Sequence, residues 1–118
     1  MDWEKCLICI AIRNAYDKGK VEGQIFIDAE VCGDWAVHKT IDRYLVFGPY
    51  MHRDCYTLTH LPTRCAAVQT DGIEAAKEFA RAIKNLSWHL VKNGMGKPPA
   101  GFEICQFVEL RAQYQIDF

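Results

Sequence analysis

Residues 55–68 have the sequence Cys-Tyr-Thr-Leu-Thr-His-Leu-Pro-Thr-Arg-Cys-Ala-Ala-Val, and this stretch decides the fold class. Apolar Tyr56 and Leu58 alternate with threonines, which is the period of a β-strand. The Leu-Pro-Thr-Arg segment that follows is typical of a tight turn, because proline presets the backbone angle of a turn's second residue. An apolar run then returns, so the stretch predicts an antiparallel β-hairpin.

The same two-residue period extends upstream of this hairpin. A strand over residues 24–31 is predicted with these residues on one face: Ile25, Ile27, Ala29 and Val31. A second strand is predicted with Trp35, Val37 and Ile41 on one face and His38 on the solvent side. Residues 44–47 form a further short apolar run that ends at Gly48-Pro49.

Downstream of the hairpin the period changes to that of a helix. Asp71 precedes Glu74 by three residues, which is the spacing of a capping box at a helix start. Apolar residues then recur at helical spacing: Ile73, Ala76, Phe79, Ala80, Ile83, Leu86 and Leu90. Asn93-Gly94 is a stop signal. The pattern predicts one long helix that ends just before Asn93.

The two chain ends are predicted from weaker patterns. Trp3 to Lys18 is predicted to be a helix, with Asp2 at its N-cap and Gly19 as its stop. The apolar run of residues 6–12 is also consistent with a buried strand, since periodicity does not separate the two over seven residues.

The C-terminal segment alternates strongly. Eight of the nine even-numbered positions from Phe102 to Phe118 are apolar, which predicts a strand. A strand over residues 102–118 would be roughly 56 Å long, so it must bend, break or pair with another chain. We therefore expect a homo-oligomer, most simply a two-fold dimer, that forms through this C-terminal segment.

These elements predict a single domain over residues 1–118 of the α+β class. An antiparallel β-sheet is packed by one long helix, with a second helix near the N-terminus. The 118 residues carry 14 basic and 15 acidic side chains, a balance that argues against a body built wholly for nucleic acid or a membrane surface. No stretch has the length and apolarity of a membrane span or a signal peptide. A reducing cytoplasm is the predicted compartment, with the six cysteines as thiols that lie mostly in the core.

Two pairs of residues have the spacing of metal ligands. Cys6 with Cys9, and His52 with Cys55, would together supply a Cys₃His set to a tetrahedral zinc. Cys6 and Cys9 flank Leu7-Ile8 in an apolar stretch, so core packing is the favoured interpretation and no metal or cofactor is predicted. The pair in the polar segment, His52 and Cys55, keeps the stronger claim, and a zinc-stabilised domain remains an alternative.

The spacing of nucleophiles and bases argues against an enzyme. Cys55 and His60 are five residues apart on one strand, so their side chains point to opposite faces. His60 is predicted to be a hydrogen-bonded core histidine. Cys65 would approach His38 only if the strand order allowed it. Neither a nucleophile elbow nor a phosphate-binding loop before a helix occurs in the sequence.

The predicted long helix carries one basic stripe. Its members are spaced three or four residues apart: Lys77, Arg81, Lys84, Trp88 and Lys92. Basic residues around an aromatic ring are suited to phosphate contacts and base stacking, or to an acidic groove on a protein. Glu74 and Glu78 beside the stripe also fit an ordinary solvated helix face.

The segment Tyr56-Thr-Leu-Thr-His-Leu-Pro-Thr63, followed by a short strand and the helix start at residues 71–80, resembles small uncharacterised proteins encoded by phages and prophages. The resemblance covers about a third of the chain. Such proteins usually have glycine where this chain has Arg64. The resemblance implies no catalytic activity, and it implies an accessory role such as binding and modulating a host protein.

The sequence therefore predicts a small non-enzymatic binding module that acts through protein–protein contacts. Nucleic-acid binding through the basic stripe is the alternative from another class of function.

Overall fold

The computed structural model describes residues 1–13, 21–41, 52–92 and 97–116. Within them five strands precede two helices: β1 (Glu4–Arg13), β2 (Val21–Cys32), β3 (Trp35–Ile41), β4 (His52–His60), β5 (Cys65–Thr70), α1 (Ile73–Ile83) and α2 (Ile104–Tyr114). A single turn of 3₁₀ helix, Trp88–Leu90, lies between the helices. The apolar run at residues 44–47 lies outside the described residues.

The strands form one antiparallel sheet in sequence order, β1-β2-β3-β4-β5. The hairpin predicted over residues 55–68 is confirmed, because Leu58 pairs with Val68 and His60 with Cys65. Arg64 closes the turn between these strands with a φ of 58°, in the left-handed region that favours glycine. The shared face predicted for residues 25, 27, 29 and 31 also agrees with the register of β2 against β1.

Both helices pack on the same side of the sheet. Helix α1 lies over β3, β4 and β5, and α2 packs against α1 and β5. Leu58 and Phe79 are fully buried between the sheet and α1. The α+β class with an antiparallel sheet is therefore confirmed. No helix among the described residues is long and apolar enough to cross a membrane.

The predicted N-terminal helix over Trp3 to Lys18 is wrong. Glu4–Arg13 is strand β1, paired along its whole length with β2. The pairing gives the physical reason: Ile8 lies opposite Ile27 and Ile10 opposite Ile25, and these four side chains pack together. The periodicity of residues 6–12 is compatible with a helix or a strand, and the cross-strand packing of β-branched residues favours the strand.

The predicted long helix is also wrong in its length. Helix α1 spans 11 residues and ends at Ile83, and its N-cap is Gly72 without a side-chain capping bond, so the predicted capping box does not form. The chain turns after Lys84 because Glu103 accepts hydrogen bonds from both the amide and the hydroxyl of Ser87. These two bonds hold the residues after α1 in a turn.

The C-terminal segment is helix α2 rather than a strand. Phe107, Leu110 and Tyr114 are spaced by three and four residues, and all three pack against the core. Phe107 and Tyr114 contact the Phe79 ring, with centroid distances of 5.9 and 5.3 Å. The segment is therefore docked on its own molecule, and the free strand that motivated dimerisation through it is absent from residues 102–116.

The face of the sheet opposite the helices also carries buried residues. It carries a polar row formed by His38, Thr40, Thr57 and Thr59, each no more than 5% exposed. His38 Nε2 is 2.9 Å from Thr59 Oγ1, and the Thr40 and Thr57 hydroxyls are 2.7 Å apart. The prediction that His38 faces solvent is wrong, because hydrogen bonds across the strands allow polar side chains to be buried here.

Candidate functional site

Lys77, the first residue of the predicted basic stripe, makes contacts within the fold. Its Nζ is 2.8 Å from Glu30 Oε1 on β2, and its side chain is 13% exposed. The ammonium also lies 5.7 Å from the centre of the Trp3 ring, within range of a cation–π contact. These contacts tie α1 to β2 and to the N-terminal segment, so Lys77 is poorly placed to bind an external ligand.

The rest of the stripe is not brought together on one helix. Arg81 is exposed on α1, Lys84 is exposed at its C-cap, and Lys92 is exposed beyond the 3₁₀ turn. Trp88 points inward: its Nε1 donates to the Ile83 carbonyl at 2.7 Å, and its ring packs on Trp35 at 4.9 Å between centroids. The premise of a single helical stripe is therefore wrong. Nucleic-acid binding stays a prediction that rests on the exposed cations.

The described cysteines do not come together as the alternative Cys₃His set would require. Cys6 and Cys9 are three residues apart on β1, so their side chains lie on opposite faces of the strand. Cys55 is in β4 rather than in a polar loop, and it is buried. No group of three or more potential ligands suited to a metal occurs among the described side chains, which do not include that of His52. The expectation of mostly buried cysteines is also wrong, since Cys6, Cys65 and Cys105 are exposed.

His60 is the hydrogen-bonded core histidine that the sequence predicts. It is 3% exposed, and its Nδ1 lies 2.9 Å from the Thr63 hydroxyl. The ring packs between Trp35 and Trp88, at 4.9 Å from each centroid. Burial lowers the pKa of His60, and the negative charge of Asp34 opposes that shift more weakly. The neutral ring is thus the form that this site stabilises.

Among the described residues, the cysteine expected to approach His38 lies opposite His60 instead. Cys65 lies on β5 and His38 on β3, with β4 between them. Cys65 Sγ is instead 3.6 Å from the Thr63 carbonyl. Both imidazoles make hydrogen bonds to threonine hydroxyls, Thr59 for His38 and Thr63 for His60. The described geometry therefore gives these histidines structural roles.

Among the described residues, the two most exposed large apolar side chains lie on the β1–β2 hairpin. Leu7 is 63% exposed and Phe26 is 69% exposed. Phe26 pairs directly with Cys9 across the two strands, and Leu7 precedes Cys9 by two residues, so all three share the face on the helix side of the sheet. We call Leu7, Cys9 and Phe26 the hairpin patch. The helices pack over β3, β4 and β5 and leave this part of the sheet uncovered.

A groove of about 850 Å³ adjoins the hairpin patch where β2 separates from β3. The two strands pair only through residues 30–32 of β2, so the gap lies between β3 and the residues of β2 that precede Glu30. Its described lining includes Leu7 and Phe26 together with Val37, Tyr56 and Ile73. Its charged residues are balanced: Lys5, Lys39, Asp28 and Glu30. A lining that combines apolar residues with balanced charges is typical of a surface that binds a protein.

Leu7 and Phe26 are candidate binding residues that the sequence pattern did not predict. Leu7 was hidden because its segment was predicted to be a helix. Phe26, however, lies on the polar side of the predicted strand, between Gln24 and Asp28. A large aromatic residue at a solvent-facing position was the signal that could have identified the patch.

Comparisons of this chain with protein-family models, with curated proteins and with solved structures return no match.

Proposed function

We propose that this protein is a small binding module that acts through protein–protein contacts and has no catalysis of its own. The hairpin patch is the observation that supports the proposal. Leu7 and Phe26 are highly exposed, adjacent and continuous with an apolar groove. Contiguous apolar surface marks interaction sites, whereas scattered exposed apolar residues do not. A partner that covered the patch would gain about 25 cal/mol for each Å² of apolar area removed from water.

We place the module in the cytoplasm and expect its partner to be a host protein. All six cysteines are unpaired thiols, and the three exposed ones would be expected to persist in a reducing compartment. The resemblance of the Thr-His-Leu-Pro-Thr segment to phage-encoded proteins supports an accessory role directed at a host protein. Self-association stays a prediction, but the hairpin now offers a better surface for it than the C-terminal helix.

Substitution of the hairpin patch tests the proposed function. We expect Leu7→Thr combined with Phe26→Thr to lose partner binding, because both anchors disappear while threonine keeps a high preference for strands. The melting temperature should change little, since both side chains are exposed. The matched control is Val108→Thr, which removes an apolar side chain that is 54% exposed on α2.

The measurement compares proteins that the tagged wild-type chain and the two variants retain from the native host. Partners retained by the wild type and by Val108→Thr, and lost by the patch variant, would support the proposal. If the patch variant retained the same proteins as the wild type, the hairpin patch would not be the binding surface.

A further inference from the structure

The two edge strands of the sheet, β1 and β5, differ in how their outward backbone groups are satisfied. At the edge of β5, the Ile116 amide donates to the Gln69 carbonyl at 3.0 Å, and the Gln69 amide donates to Gln115 Oε1 at 3.1 Å. The segment after α2 thus satisfies both outward backbone groups of Gln69. At the other edge, β1 is ten residues long and is paired only with β2 among the described residues. A long unpaired apolar edge is a template for another strand.

A groove of about 610 Å³ runs along this edge of β1. One wall consists of residues 8–11, and the opposite wall consists of Thr59, Leu61 and residues 63–66. Side chains alternate between the two faces of a strand, so a groove on one face would contact every second residue. This groove contacts four consecutive residues, which indicates that it follows the backbone edge of β1. Four residues of strand span about 13 Å, which is enough for a short extended segment to lie against β1.

The lining of this groove indicates the chemistry of its occupant. Ile8, Ile10 and Leu61 are apolar, and Arg64 is the single charged residue in the described lining. A single cation in the described lining complements an acidic side chain. Resting on the proposed function, we infer that β1 recruits an extended segment of a partner protein as a sixth strand. This segment alternates apolar residues with polar ones and carries an Asp or Glu opposite Arg64.

A display library of random octapeptides, selected against the full chain, tests this inference. We expect selected peptides to carry apolar β-branched or aromatic residues at every second position, with an acidic residue at one fixed position. Selection against Arg64→Glu should replace that acidic residue with Lys or Arg and weaken the original peptides by about fivefold or more. The matched control is Arg111→Glu, which reverses an exposed charge on α2 and should select the wild-type peptides.

Hydrogen exchange of the chain with a selected peptide provides a second measurement. In an antiparallel ladder, alternate amides of β1 point toward the added strand. With saturating peptide, the exchange rate of every second amide within residues 5–12 should fall by at least about tenfold. Protection without this alternation would overturn the inference.

The other outcomes separate this inference from the proposed function. In one outcome, the combined Leu7→Thr and Phe26→Thr variant loses peptide binding and Arg64→Glu binds the peptides as the wild type does. That outcome would overturn strand addition and keep the hairpin patch as the binding site. A library without binders would overturn the inference, as would binding of decanoate alone, which would assign the groove to small anionic amphiphiles. A dimer in sedimentation that Arg64→Glu dissociates would overturn it by assigning the groove to a second copy. Failure of the proposed function would instead appear as a patch variant that retains every wild-type partner.

Discussion

Arg64 has the one positive φ among the described residues other than glycine, at 58°. For a residue with a Cβ, this conformation costs about 1–2 kcal/mol. Glycine avoids that cost but gives up about 0.4–1 kcal/mol through its greater freedom in the unfolded chain. We expect Arg64→Gly to raise the free energy of unfolding by about 0.5–1 kcal/mol, measured by urea denaturation.

The control for this substitution is Arg64→Ala, which removes the charge and keeps the Cβ. It should show no gain in the free energy of unfolding. Equal stability of the glycine and alanine variants would mean that the backbone conformation of Arg64 carries no cost.

His60 predicts how the stability of the protein depends on pH. Burial lowers the pKa of His60 in the folded state, so the unfolded chain takes up a proton first as the pH falls. Its contribution to stability is complete above the unfolded pKa of about 6.5. That contribution is lost as the pH falls from there toward the folded pKa, at no more than about 1.4 kcal/mol per pH unit.

Urea denaturation at pH 7.5 and pH 5.5 measures this effect. We expect His60→Gln to be less stable than the wild type at pH 7.5, since it disturbs the packing between Trp35 and Trp88, and to lose less stability on acidification. His89→Gln changes an exposed histidine and should keep the wild-type difference. An undiminished pH dependence in His60→Gln would show that other groups cause it.

At the scale of elements, Phe107 and Val108 distinguish helix α2 from the predicted strand. In the strand, even-numbered Val108 would face the core; in α2 it is Phe107 that packs on Phe79, and Val108 is 54% exposed. We expect Phe107→Ala to lower the free energy of unfolding by about 2–3 kcal/mol and Val108→Ala to change it by less than about 0.5 kcal/mol. The reverse order in urea denaturation would contradict the helix.

Elements whose periodicity reflects burial were predictable. Strands β2 to β5 alternate because each face has a distinct environment, and the apolar face of α1 follows from its contact with Leu58 and its neighbours on the sheet. In α2 no residue is fully buried, so its contacts impose only a weak helical pattern, and an accidental two-residue period dominated it. The end of α1 was not predictable either, because it depends on Glu103 reaching Ser87 across 16 residues of sequence.

The candidate site was less predictable than the fold. Lys77 has the residue type and spacing of a surface cation, yet Glu30, 47 residues earlier, holds it against the sheet. Trp88 is likewise drawn into the core by Trp35 and His60. The exposure of Leu7 and Phe26 depends on which part of the sheet the helices cover, and that is a property of the assembled tertiary structure.

At the scale of the whole molecule, each face of the sheet carries buried residues, and different interactions bury them. The helix side is closed by aromatic and aliphatic packing around Phe79, whereas the opposite side holds hydrogen-bonded polar side chains such as His38 and Thr59. The β1–β2 hairpin contributes Ile10 and Ile27 to that opposite side, while its own helix side stays open. One face of the hairpin is therefore packed in the core, and the other is exposed to solvent.

The bonds from Gln115 and Ile116 to Gln69 also limit how this protein assembles. Fibril growth by strand stacking requires two open ends on every subunit, so that each newcomer presents a fresh end to the next. This chain covers part of the β5 edge, at Gln69, with its own C-terminal residues. If a partner strand occupies β1, these bonds at Gln69 obstruct pairing at the other edge of the sheet, so we expect assembly through β1 to stop at a single added partner.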